Sequence, residues 1–88
     1  MTALYLILHA CLAIGSDGTC EQPILVNDSL YAIPAHVCTI KVTRTRRDFL
    51  AHLDAGYHMA TETWDGRPAF VRGASCAPTP VCECEVTP

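Results

Sequence analysis

The sequence predicts an α+β fold: a small antiparallel β-sheet, one short helix over 46–55, and a C-terminal β-hairpin followed by an extended tail. Three observations predict it. Residues 3–14, ALYLILHACLAI, form a continuous apolar run, the pattern of a buried central strand. Residues 36–43 alternate, with Cys38, Ile40 and Val42 on one side and Thr39, Lys41 and Thr43 on the other. Asp65-Gly66 separates two extended runs, the signal of a two-residue hairpin turn.

Length and composition set the scale. A chain of 88 residues is one domain, placed at 1–75, with 76–88 as an extended tail containing Cys and Pro. A chain this short buries only about 60–65% of its unfolded surface, so its core is small. Half the residues are hydrophobic and 17% are charged, which argues against disorder. Catalytic clefts generally need a larger scaffold, so size favours a binding or structural role.

The first element is the strand over 3–13. A signal peptide would want a Lys or Arg before the apolar run, and none is there. Leu8-His9-Ala10-Cys11 approaches a lipobox, but His9 breaks its pattern. The run is too short to cross a hydrocarbon layer of about 30 Å. Gly15-Ser16-Asp17-Gly18 then reads as a turn, and Pro23 opens a strand over 23–26. Asn27-Asp28-Ser29 is the next turn, and 30–34 is expected to be extended and half-buried. The strand over 36–43 points Cys38 inward, with Cys11 as a candidate partner on the first strand.

Thr45 fits a helix N-cap, with Asp48 in the capping-box position. Phe49, Leu50 and Leu53 share a helical face, and Gly56 fits the C′ position. Strands 57–64 and 67–73 then pair through Asp65-Gly66. That register sets Trp64 opposite Arg67, Thr63 opposite Pro68, Thr61 opposite Phe70 and Met59 opposite Arg72. Trp64 and Arg67 are placed to stack, and Pro68 marks an edge strand. The helix and hairpin together present a core face of Phe49, Leu50, Leu53, Met59 and Phe70. Prolines keep the tail extended, and Cys76 is placed to close a short loop to Cys82 or Cys84.

Candidate chemistry is sparse. Lys41, Arg44, Arg46 and Arg47 hold four of the six basic residues within one short window. With Trp64, Arg67 and Pro68 they are the expected partner-binding residues. No aromatics interleave with the charges, so nucleic-acid binding is not expected. Cys11, Cys20, Cys38, Cys76, Cys82 and Cys84 are disulfide or metal candidates; the even count permits three disulfides, while free buried thiols remain an alternative. Cys76, Cys82 and Cys84 with His9, His36, His52 or His58 outline a zinc set. Their spacing differs from the C-x2-4-C knuckles of structural zinc sites, so no cofactor is expected. No cysteine or histidine lies in a nucleophile motif, Glu62, Asp65, Glu83 and Glu85 read as solvated, and the Gly15–Gly18 turn lacks the Lys and following helix of a phosphate loop. An enzyme is not expected.

Leu4-Tyr5-Leu6, Cys11-Leu12, Asp17 and Cys20 resemble the start of small uncharacterised cysteine-containing proteins of bacterial and tailed-phage genomes. The resemblance covers about the first quarter of the chain and carries no assigned function. The reading is a non-enzymatic structural or interaction protein: a small phage virion component, a decoration or connector binding larger capsid or tail subunits. The alternatives are a host-takeover or anti-defence protein binding a bacterial complex, and a secreted module stapled by disulfides or zinc. The expected location is the virion, otherwise the cytoplasm, with secretion as the alternative. No membrane span is expected, and oligomeric assembly is compatible with an open strand edge.

Overall fold

The apolar run becomes the strand on which the rest is built. In the computed structural model, which describes residues 2–56, 58–60 and 62–82, β1 (Ala3–Cys11) is paired along both edges. On one edge lie β2 (Pro23–Asn27) and the two-residue β3 (Ile33–Pro34). On the other lies β5 (Arg67–Ala77), which also carries β4 (Glu62–Trp64), giving the order β2-β1-β5-β4. All pairings are antiparallel, and one helix, α1 (Ala35–Asp54), packs on β1 and β5. The fold is the expected small α+β class.

Apart from the exposed His9, the second half of β1 is buried on both faces, Leu6, Leu8 and Ala10 on one and Ile7 and Cys11 on the other, so it reads apolar without alternation. Leu6, Ile7, Leu8, Ala10 and Cys11 are all buried. Fully burying Ile7 or Ile24 stabilises the fold by about 1.5–3 kcal/mol each. Ala10, Leu12, Ile24 and Ala69 form a core cluster, with Val26, Trp64 and Val71 packed against it. Where His9 faces Gly73 and Ala10 faces Val71, Arg72 is left over as a β-bulge.

The segment 36–43 is helix, not strand. The alternation of Cys38, Ile40 and Val42 fits a strand, but Cys38, Val42, Thr45, Phe49 and His52 recur at steps of four and three and turn one face inward. Ile40, the middle member of the supposed strand face, is exposed. Thr39, Thr43 and Thr45 return their hydroxyls to the carbonyls of Ala35, Thr39 and Lys41, at 3.0, 3.2 and 2.8 Å. That local bonding lets β-branched threonines sit in a helix. Thr45 is therefore interior and caps nothing; Pro34 precedes the helix without a side-chain cap. The other end is as expected, with Gly56 at φ 84° donating its N–H to the Leu53 carbonyl. The predicted core face is corrected too. Phe49 and Phe70 are half-buried, whereas Leu50, Leu53 and Met59 are exposed.

The hairpin turn follows its sequence. Asp65 and Gly66 have φ of 51° and 76°, the two positive values of a type I′ turn. Trp64 faces Arg67 and Thr63 faces Pro68, as the turn dictates. Met59 lies before β4, Thr61 lies outside the described residues, and the ladder continues with Glu62 opposite Ala69. Where β5 begins, Arg67–Ala69 pairs with β4, and from Phe70 onward the strand pairs with β1, so among the described residues each stretch has one partner strand. β5 also extends through Cys76 and Ala77, past the boundary set at 75.

Among the described residues two disulfides are present, and both differ from the expected pairings. Cys11 bonds Cys20, closing the loop between β1 and β2, and Cys38 bonds Cys76, tying α1 to β5. Cys11 cannot meet Cys38 because Cys38 lies on the helix above the other end of β1, with its sulfur 4.0 Å from the Tyr5 carbonyl. Cys76 is paired inside the sheet and is not available to Cys82; Cys84 lies outside the described residues. Asn27 holds the tail, its side-chain amide donating to the Val81 carbonyl at 2.8 Å and accepting the Val81 N–H at 3.0 Å. Segment 30–34 is also more open than expected, with Leu30 88% and Tyr31 79% exposed.

Candidate functional site

A cleft of about 280 Å³ opens between the helix and the sheet. Leu6 and Leu8 of β1 and Phe70 and Val71 of β5 line it from the sheet; Phe49 and Thr45 line it from α1. Charged groups edge this apolar ground. Lys41, Arg44 and Asp48 come from the helix, with Asp28 beyond the end of β2 and Glu62 at the start of β4. His52 and His58 complete the wall, and the His58 ring stands edge-on to Phe70 at 6.4 Å between centroids.

The positions follow from helical spacing. Lys41, Arg44 and Asp48 are one turn apart, so they line up along a single flank, and Thr45, Phe49 and His52 form the adjacent inner row. Phe49 is itself fixed, because the bulge directs Arg72 to it: the guanidinium carbon lies 5.3 Å from the ring centroid, and one nitrogen donates to the Gly18 carbonyl at 3.3 Å. A cation over an aromatic face contributes about 0.5–1 kcal/mol where solvent reaches it. The cleft therefore has a braced apolar floor, while Lys41 and Arg44 make no ion pair among the described residues.

The expected partner-binding residues divide into three groups. Lys41 and Arg44 border the cleft. Arg46 and Arg47 are exposed on the same helix outside it. Trp64, Arg67 and Pro68 belong elsewhere: Trp64 packs on the core cluster, Arg67 donates to Gln22 Oε1 at 2.6 Å, and Pro68 is exposed opposite Thr63. Among the described residues no three His, Cys, Asp or Glu side chains gather to hold a metal ion. The proposed zinc set also loses Cys76 to its disulfide.

Two arrangements were not anticipated. His9 Nε2 lies 2.8 Å from Ser75 Oγ across neighbouring strands, on the sheet face away from the helix. An imidazole beside a hydroxyl is half of a nucleophile–base pair, but His9 is exposed and no third group orients it among the described residues. The other is the cleft itself. The recurrence 38, 42, 45, 49, 52 was the signal that would have found its helical wall. Among the described residues no helix is long and apolar enough to cross a membrane. No family model, curated protein or solved structure matches the chain.

Proposed function

We propose that the protein is a non-enzymatic interaction module that seats a projecting part of a larger protein subunit in the cleft between α1 and the sheet. The observation that carries this reading is the cleft's make-up: an apolar floor with Phe49 and Phe70 upon it, edged by exposed charge. Such a surface suits an anchoring side chain with a polar surround. Two disulfides favour a non-reducing setting, where such bonds form and persist. In its most concrete form the chain is a small virion component that decorates or connects capsid or tail subunits. A secreted, disulfide-stapled module is the second reading, favoured by the same two bonds.

Fractionation by sedimentation tests the choice. An antibody against the chain should find it in the large-particle fraction of the culture that produces it. Recovery solely as a low-mass species in the medium would support the secreted module and remove the virion component. Recovery as a lone monomer that cross-links to nothing in either fraction would remove both.

A further inference from the structure

Resting on the docking reading, we infer that the partner segment seated at the cleft is acidic and carries a bulky apolar anchor. The occupant is a short stretch of another protein with carboxylates flanking one aromatic or aliphatic side chain. The size of the cleft, about 280 Å³, suits one or two large side chains and not a folded domain. Its floor of Leu6, Leu8, Phe49 and Phe70 supplies apolar and ring surface for the anchor.

Charge sets the flanks. The helix carries Lys41, Arg44, Arg46 and Arg47 against Asp48 and Asp54, so it is positive by two in a chain whose net charge is −3. The positive charge is therefore concentrated on one element while the rest of the chain is acidic. Lys41, Arg44 and Arg47 follow each other at intervals of three and climb from the cleft edge onto the outer surface, and all three are exposed. Asp28, Asp48 and Glu62 also border the cleft. They set the direction of the segment: Asp48 falls between Lys41 and Arg44 on the helical wheel, so the segment's carboxylates meet Arg44 and Arg47, which turn progressively away from it and from Asp28 and Glu62, while its anchor turns inward. Complementary charge of this kind governs encounter and register, and it is sensitive to salt.

The test uses the full, oxidised chain and fluorescent peptides of glutamates around a central tryptophan–leucine pair. The wild-type protein should bind this peptide. Replacing the tryptophan and leucine by alanine should weaken binding about tenfold or more, and so should K41E/R44E in the protein. Both protein positions are exposed, so circular dichroism should be unchanged and the intact mass should differ only by the two substitutions, with the disulfides kept. Exchanging the peptide glutamates for lysines should restore binding to K41E/R44E and abolish it on the wild type. Equal binding of acidic and basic peptides, or indifference to K41E/R44E, overturns the inference. A rise of about tenfold in peptide affinity for E83Q/E85Q also overturns it, since the competing occupant would be the chain's own acidic tail. If no peptide binds while the chain still sediments with large particles, the acidic partner is wrong and the docking reading stands. If neither happens, both fail.

Discussion

The sheet and the helix are held by different physics. Of the nine buried hydrophobic residues among those described, eight lie on the strands or the loop that leaves β1, and the 20-residue helix contributes only Cys38. The sheet is secured by removing aliphatic surface from water, with Ile7 and Ile24 at its centre. The helix buries little, begins without a side-chain cap, and is fixed by one covalent bond from its sole buried residue to β5. A helix attached in this way leaves a gap beneath it, which is why the cleft exists. The site is a consequence of incomplete packing, braced at one end by Cys38–Cys76 and further along by Arg72 against Phe49.

The largest expected effect comes from cutting that bond. Cys38 and Cys76 are 38 positions apart, and removing a cross-link over a loop of that length costs about 4 kcal/mol in the chain-entropy account. The C38A/C76A variant should lose stability on that scale in urea, and its helical amides should exchange before those of β1. Concerted exchange of helix and sheet would show that the two are not separately held. Cys11–Cys20, which spans nine positions, should cost less, about 3 kcal/mol, and leave the helix protected.

Core truncations sharpen the contrast. Ile24→Ala removes a buried aliphatic side chain and should cost about 2–4 kcal/mol by denaturant unfolding. Leu50→Ala, on an exposed helical position, should stay within about 0.5 kcal/mol of wild type. A large loss at Leu50 would mean that a second surface covers it. Thr43→Ala should raise stability by about 0.5 kcal/mol, because Thr43 is an exposed helical residue and alanine is the better helix former. A loss there would show that its hydroxyl bond to Thr39 matters more than propensity.

The same division explains what was legible in the sequence. β1 was readable because burial on both faces leaves an unbroken apolar run, and the Asp65-Gly66 turn because few residues accept two positive φ values. The first half of α1 was misread because its β-branched residues favour strands locally, and three threonine hydroxyls satisfied by carbonyls one turn back leave no mark in the composition. Lys41 and Arg44 were singled out for their charge, yet the apolar floor beside them was invisible. It comes from Leu6, Leu8 and Phe70, brought together only by the sheet register. The disulfides were unreadable for the same reason. Once 36–43 is helical, Cys38 no longer stands beside Cys11 on a neighbouring strand and reaches Cys76 instead.

The smallest expected effect lies in the loop that the sheet's own disulfide closes. Asp17 accepts the Thr19 hydroxyl at 2.7 Å and the Thr19 N–H at 3.1 Å. The hydroxyl bond, then the N–H, favours the carboxylate and holds Asp17 below its ordinary value of 3.8. A depressed acid stabilises the folded chain above its unfolded value, and that contribution is lost as pH falls through the lower folded value. The group is fully solvated, so the effect should be small and should weaken with salt. Carbon-detected titration of the Asp17 carboxyl should therefore give a midpoint below 3.8, and T19V, which removes the hydroxyl donor, should move it upward. A wild-type midpoint at the ordinary value would mean that the turn opens in solution. The loop would then rest on Cys11–Cys20, on the Leu12–Gln22 and Glu21–Ala13 backbone bonds and on the Arg72 bond to Gly18, so the sheet side would lean more on its covalent link, as the helix does.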